Sequence, residues 1–156
     1  MRIRFVAAIA VVSLSAAGVA VAALPKNKAL AIMHARHEGM EKIGDTNKLL
    51  NREFRSGTPF APAVKSGAAT IASLAKQSSG WFPAGTGPEM GKTGAKPEIW
   101  QHQKDFAAKL VIFQRAAVAF NAAAASGDMA AAKARYADLG GTCKSCHDSY
   151  RSEMHH

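Results

Sequence analysis

MAAAKARYADLGGTCKSCHDSY, residues 129–150, places Met129, Ala132, Tyr136, Leu139, Cys143, Cys146 and Tyr150 at alternating steps of three and four. That is the period of one apolar face of an α-helix, and it puts both cysteines on the stripe turned to the core. Just upstream, Ala125-Ser126-Gly127-Asp128 is a short turn, so the preceding helix must lie antiparallel beside this one. In that helix, opened by Pro97, Ile99, Phe106, Phe113 and Phe120 recur every seven residues, with Leu110 and Ala117 in the positions between them. A seam of this kind is bundle geometry.

Further upstream, the stretch from Gly80 to Pro97 holds Gly85, Gly87, Pro88, Gly91 and Gly94 among its breakers, too many for a regular element. A loop this long in a compact domain is functional or packed by its own side chains, with Trp81 and Phe82 as the packing pair. Pro62 fits the first turn of a second helix carrying Val64, Ala68, Ile71 and Ala75, which ends near Ser78-Ser79-Gly80. A first helix is expected from Asn27, its N-cap, to about Arg55, with a seam of Leu30, Met33, His37, Met40, Gly44 and Asn47. Gly39 and Gly44 weaken it by about 1 kcal/mol each relative to alanine, which makes sense if something bulky lies against that face. Four helices, one short turn and two longer connections predict an all-α, antiparallel four-helix bundle over residues 24–156.

Residues 1–23 read as a signal peptide: Arg2 and Arg4 form a basic start, Phe5 to Ala23 is apolar, and Ala20-Val21-Ala22 is a small-x-small cleavage site. An uncleaved anchor is the competing reading, since the apolar run approaches bilayer-spanning length. The small residues at its end favour cleavage, and hence no stable membrane insertion afterwards. Export places the chain in the periplasm. Loss of Arg2 and Arg4 lowers the formal charge from +9 to +7, so the mature chain stays basic.

The only two cysteines stand in Cys143-Lys144-Ser145-Cys146-His147. On a helix two thiols three apart and the adjacent imidazole project to one side. C-x-x-C-H is the attachment pattern of c-type haem, with two thioethers holding the porphyrin and His147 as proximal iron ligand. Other uses of a cysteine pair fit less well. A thioredoxin-like redox pair expects a βαβ context. Zinc needs two further ligands and no second cysteine pair exists, though His34, His37 and His102 could in principle assemble a site. A disulfide between residues three apart closes too small a loop to staple anything distant.

Dispersed lysines without interleaved aromatics argue against nucleic acid, and a diffuse positive surface instead steers acidic redox partner proteins or, as is more common, simply aids solubility. The eleven acidic residues form no acid-base pair, and no activated nucleophile is present, so an enzyme is not expected.

The chain resembles the class II c-type cytochromes, the family of cytochrome c prime and its low-spin, methionine-ligated relatives. The resemblance rests on Arg36-x-x-x-Met40, Phe82-Pro83-x-Gly85-Thr86-Gly87, Ala95-Lys96-Pro97-Glu98-Ile99-Trp100, and the stretch from Gly140 to Arg151, all in family order. It implies thioethers at Cys143 and Cys146, a proximal His147, and Arg151 one turn on, beside the haem. It also implies that the residue four after Arg36, here Met40, faces the iron on the distal side. In cytochrome c prime that residue cannot ligate and the iron stays five-coordinate and high-spin; in the low-spin relatives a methionine binds. With Met40 in place, the expectation is a periplasmic monohaem electron-transfer protein with His147 and Met40 as axial ligands. Met33 is the fallback thioether, and His34 or His37 a lesser distal ligand. The alternative is a five-coordinate protein taking up nitric oxide or carbon monoxide. Family dimers formed through the first two helices also make a homodimer an expectation.

Overall fold

The structure, a computed structural model, describes residues 24–153. The signal-peptide reading of residues 1–23 lies outside the described residues. Helix α1 spans Lys26–Arg55, α2 Ala61–Gln77, α3 Glu98–Gln101, α4 Gln103–Ser126 and α5 Met129–Tyr150, with a 3-10 turn at Ser78–Gly80. The four long helices make the all-α bundle. Among the described residues there is no strand, only an isolated antiparallel bridge between Ala95 and Arg151.

Each helix boundary has a local cause. Gly127 adopts φ 87°, a left-handed conformation that closes α4 without a Cβ clash, and Asp128 caps α5 by accepting from the Ala131 N–H. Pro62 sits in the first turn of α2 as expected, where its missing N–H is not needed. The start of α1 differs from expectation. Pro25 is the N-cap, and Asn27 lies inside the first turn with its Oδ1 accepting from Lys28 N–H at 2.9 Å.

The expected third helix is interrupted at His102, which leaves the helical region at φ −113°, ψ 47°. Two sets of contacts pull the halves along different axes. Trp100 Nε1 donates to the Pro83 carbonyl at 3.0 Å and Ile99 is buried beside Phe106 and Tyr150, while α4 follows the bundle. His102 absorbs the change of direction.

The main core cluster runs through all four long helices: Ile43, Leu50 and Phe54 from α1, Val64, Ala68, Ile71 and Ala75 from α2, Phe113, Ala117 and Phe120 from α4, and Ala132 and Leu139 from α5; a smaller one joins Ile99, Phe106 and Tyr150. Each large side chain so buried contributes about 1.5–3 kcal/mol. Gly67 lets Leu50 approach, since a Cβ there would stand 2.9 Å from Leu50 Cδ2. The seam of α4 is buried as the sequence predicts, with Leu110 half-buried, and that of α5 in part: Ala132, Leu139 and Tyr150 are buried, while Met129, Tyr136, Cys143 and Cys146 are half-buried. That of α1 is rotated: its buried stripe is Ala29, Met33, Arg36, Gly39, Ile43, Leu50 and Phe54, with Leu30 41% exposed and His37 and Asn47 exposed. Outward, α4 also shows solvent an apolar row of Val111, Ile112 and Val118.

Candidate functional site

Packing runs α1 on α2, α2 on α4 and α4 on α5. Between α1 and α5 the contact is concentrated at Tyr136, whose hydroxyl lies 2.7 Å from Asn47 Oδ1 and 3.0 Å from Asn47 O, with its ring 5.1 Å from that of Phe54. From this point the antiparallel helices can be read in register. Seven residues back along α1 is Met40 and seven forward along α5 is Cys143, each about 10 Å away. Eleven residues give Arg36 and His147.

The flanks beyond Tyr136 are lined by residues that leave room. A Cβ on Gly44 or on Gly140 would meet no atom within 4 Å. The unburied members of the expected α1 seam, Met40, Gly44 and Asn47 among them, share the flank marked by Asn47, so that seam describes the side turned toward α5 and not the packed stripe. Two thiols, an imidazole and glycine-lined flanks are a donor set and a shape that fit a covalently attached haem.

Cys143 and Cys146 are free and half-buried, the first against the main core and the second against the Ile99, Phe106 and Tyr150 cluster. Burial pushes both thiols up, and at Cys146 the nearby Lys109 opposes this. The His147 imidazole is held below its ordinary range by partial desolvation and then by Arg151. A neutral ring is the form that binds a metal. Arg151 is exposed and donates its backbone N–H to the His147 carbonyl at 3.1 Å.

Arg36 is 4% exposed. Its guanidinium donates to the Trp81 carbonyl at 3.1 Å, Thr86 Oγ1 at 3.3 Å, the Thr86 carbonyl at 2.9 Å and Thr93 Oγ1 at 3.1 Å. Phe82 lies beneath it at 5.1 Å and Trp100 at 5.9 Å. Burial lowers its pKa, while Glu89 works in the opposite direction. One arginine therefore organises the Gly/Pro-rich loop from inside. The bulky group behind Gly39 is the Trp81 ring.

The other candidates fall elsewhere. His34 pairs with Glu38 at 3.2 Å and His37 with Glu41 at 3.4 Å, all four side chains exposed. Among the described residues no three His, Cys, Asp or Glu side chains converge on a metal position, so the zinc arrangement is not assembled. Sequence reasoning missed the pairing of Tyr150 with Asp105, whose Oδ2 accepts from the phenol at 2.6 Å across 45 residues. No local pattern signals it.

A family model described as Cytochrome C' matches residues 31–151. Cytochrome c' of Pararhodospirillum photometricum is 33% identical over 121 residues, which cover 78% of this chain and 96% of the relative. A solved cytochrome c' described as having an unusual ligand-controlled dimer dissociation superposes with a TM-score of 0.73 at 29% identity, covering 85% of this chain and 100% of that one. The nitric oxide complex of a mutant cytochrome c prime from Alcaligenes xylosoxidans gives a TM-score of 0.71 at 26% identity, over 83% of this chain and 97% of that one.

These likenesses overturn the expectation of a low-spin electron carrier with His147 and Met40 as axial ligands. They lie with cytochrome c prime, in which the distal residue does not ligate, and a solved relative holds nitric oxide. The Met40 side chain itself is half-buried at the edge of the main core cluster.

Proposed function

The chain belongs to the cytochrome c prime family and carries one covalently attached haem c, and from that premise we propose that it is an exported, five-coordinate, high-spin haem protein that binds nitric oxide or carbon monoxide. In this reading Cys143 and Cys146 supply the thioethers and His147 the proximal ligand. The haem iron, when bound, supplies an open coordination position for a diatomic gas. Met40 walls the distal side without ligating. Arg36, a buried cation level with His147 and already bonded to the loop, holds that loop over the same end of the bundle and gives an anionic edge of the group its counter-charge. Arg151 keeps positive charge beside His147.

What supports the reading is the match of residues 31–151 to the Cytochrome C' family model, together with a solved relative that holds nitric oxide. The protein acts as a binder, in keeping with its dispersed acidic residues and, among the described residues, no serine, threonine or cysteine hydrogen-bonded to a histidine. It works in the periplasm after loss of residues 1–23, and acidic redox proteins meet its basic surface to keep the iron ferrous. Reversible homodimers form through α1 and α2, whose outer faces border an open groove of about 490 Å³ lined by Lys42, Ser66, Ala69, Thr70, Ser73 and Leu74.

Visible spectra of the purified protein, oxidised, reduced and reduced under carbon monoxide, test the reading. The wild type and Met40→Leu are both expected to be high-spin and to take up carbon monoxide at once. A low-spin wild type that becomes high-spin only in Met40→Leu would overturn it.

A further inference from the structure

We propose that Tyr150 and Asp105 form a positioning pair for His147, fixing the terminal turn of α5 and through it the approach of the imidazole to the iron. The proposal rests on the reading of His147 as proximal ligand. His147 stands in the last turn of its helix, three residues before Tyr150. The final turn of a helix leaves carbonyls without intrahelical partners and frays. Among the described residues no hydrogen bond from another group orients the His147 ring, whose only polar contacts come through its backbone. Its orientation therefore follows the turn that carries it.

That turn is tied down in two independent ways. On the backbone, Lys96 N–H donates to the Tyr150 carbonyl at 3.0 Å and Ser152 N–H to the Gly94 carbonyl at 2.9 Å, forming the bridge between Ala95 and Arg151. Through the side chain, the phenol of Tyr150 donates to Asp105 Oδ2 at 2.6 Å, a short charge-assisted bond to the first turn of the neighbouring α4. The Tyr150 ring is buried and meets Phe106 edge-on at 5.2 Å and 85°. Phe106 in turn meets Phe82 at 4.8 Å, and Arg36 lies over Phe82 at 5.1 Å. The hydroxyl bond sets the rotation of the ring within this aromatic row, so it also sets where the turn before it stands. The pair makes no hydrogen bond to the imidazole; it acts by fixing the turn that carries His147.

The test uses the holoprotein. Tyr150→Phe keeps the ring and removes only the hydroxyl, Asp105→Ala removes the acceptor, and Asp105→Asn restores a neutral one. Resonance Raman of the ferrous protein reads the iron–histidine stretching band, stopped-flow reads carbon monoxide release, and a redox titration reads the midpoint potential. Tyr150→Phe and Asp105→Ala are expected to shift or broaden the band and to change the release rate, with Asp105→Asn near the wild type. Val118→Ala, on the exposed outer face of α4, serves as the control and should leave the band in place. If Tyr150→Phe and Asp105→Ala unfold at lower temperature but keep the wild-type band and release rate, the pair is only structural and the proposal is overturned. A wild type lacking the band because it is six-coordinate would instead remove the gas-binding reading. In that case an unchanged midpoint potential in Tyr150→Phe overturns the positioning role and a shifted one supports it.

Discussion

The ring of Trp81 occupies the place where a Cβ on Gly39 would stand, so that α1 and the start of the loop approach more closely there than any other residue type permits. In a free helix, Gly39→Ala gains about 1 kcal/mol from propensity. Here the added methyl must displace a buried indole, and overpacking of that sort costs about 1–3 kcal/mol. Gly39→Ala is therefore expected to lower stability, by about 1 kcal/mol net, in urea unfolding followed by far-ultraviolet circular dichroism. A stabilised variant would mean that the ring is not held against α1.

Arg36→Lys keeps the charge and loses the planar fork that serves two carbonyls and two hydroxyls at once. Hydrogen bonds to a charged group contribute about 1.5–3 kcal/mol each and do not add when they share one donor, so a loss of about 2–4 kcal/mol is expected. The loop should also loosen before the bundle does. Limited proteolysis should cut Arg36→Lys between residues 81 and 97 while the helices stay intact, and a loop as resistant as wild type would contradict the account.

The phenol of Tyr150 is pushed up to about 12, first by its bond to Asp105 and then by burial. An unfolded tyrosine titrates near 10. The folded chain therefore holds this proton where the unfolded chain has released it, and stability falls as pH rises from about 10 to 12. The contribution is complete below about pH 10. Tyr150→Phe should flatten this part of the alkaline limb in unfolding curves taken between pH 9 and 12, and a limb of unchanged slope would count against the bond.

Haem should remain with the polypeptide through acid-acetone extraction, and replacing both Cys143 and Cys146 with alanine should release it. Loss of all haem from the wild type on extraction would show that neither sulfur carries it.

What was legible in the sequence was local. The seven-residue repeat from Ile99 to Phe120 and the three-four steps from Met129 to Tyr150 gave the two helices their buried faces, because each packs through one stripe. C-x-x-C-H was legible because its parts are adjacent. On α1 the same reading slipped: this helix has Leu50 and Gly39 on the flank against α2 and Trp81, and Met40 and Asn47 on the flank toward α5, and periodicity alone does not say which flank is packed. Met40 was misassigned because a thioether suits both an iron and a core, and residue type does not separate the two. The break at His102 follows from a tryptophan bonded to Pro83, 17 residues away. Arg36 reaches Thr86 across 50 residues. Contacts at such separations leave no trace in local spacing.

The order of packing has a kinetic side. Each long helix rests on the one next to it along the chain, so most contacts join segments near in sequence, a topology that folds quickly because little loop entropy is lost before contacts form. Bringing the first helix to the last is different, since Tyr136 meets Asn47 across 89 residues. A haem held through Cys143 and Cys146 would stand near this longest-range closure and act as its template. Chains lacking the two sulfurs should then assemble the sequential helix pairs at normal speed and be slow only in the last step, the docking of α1 onto α5.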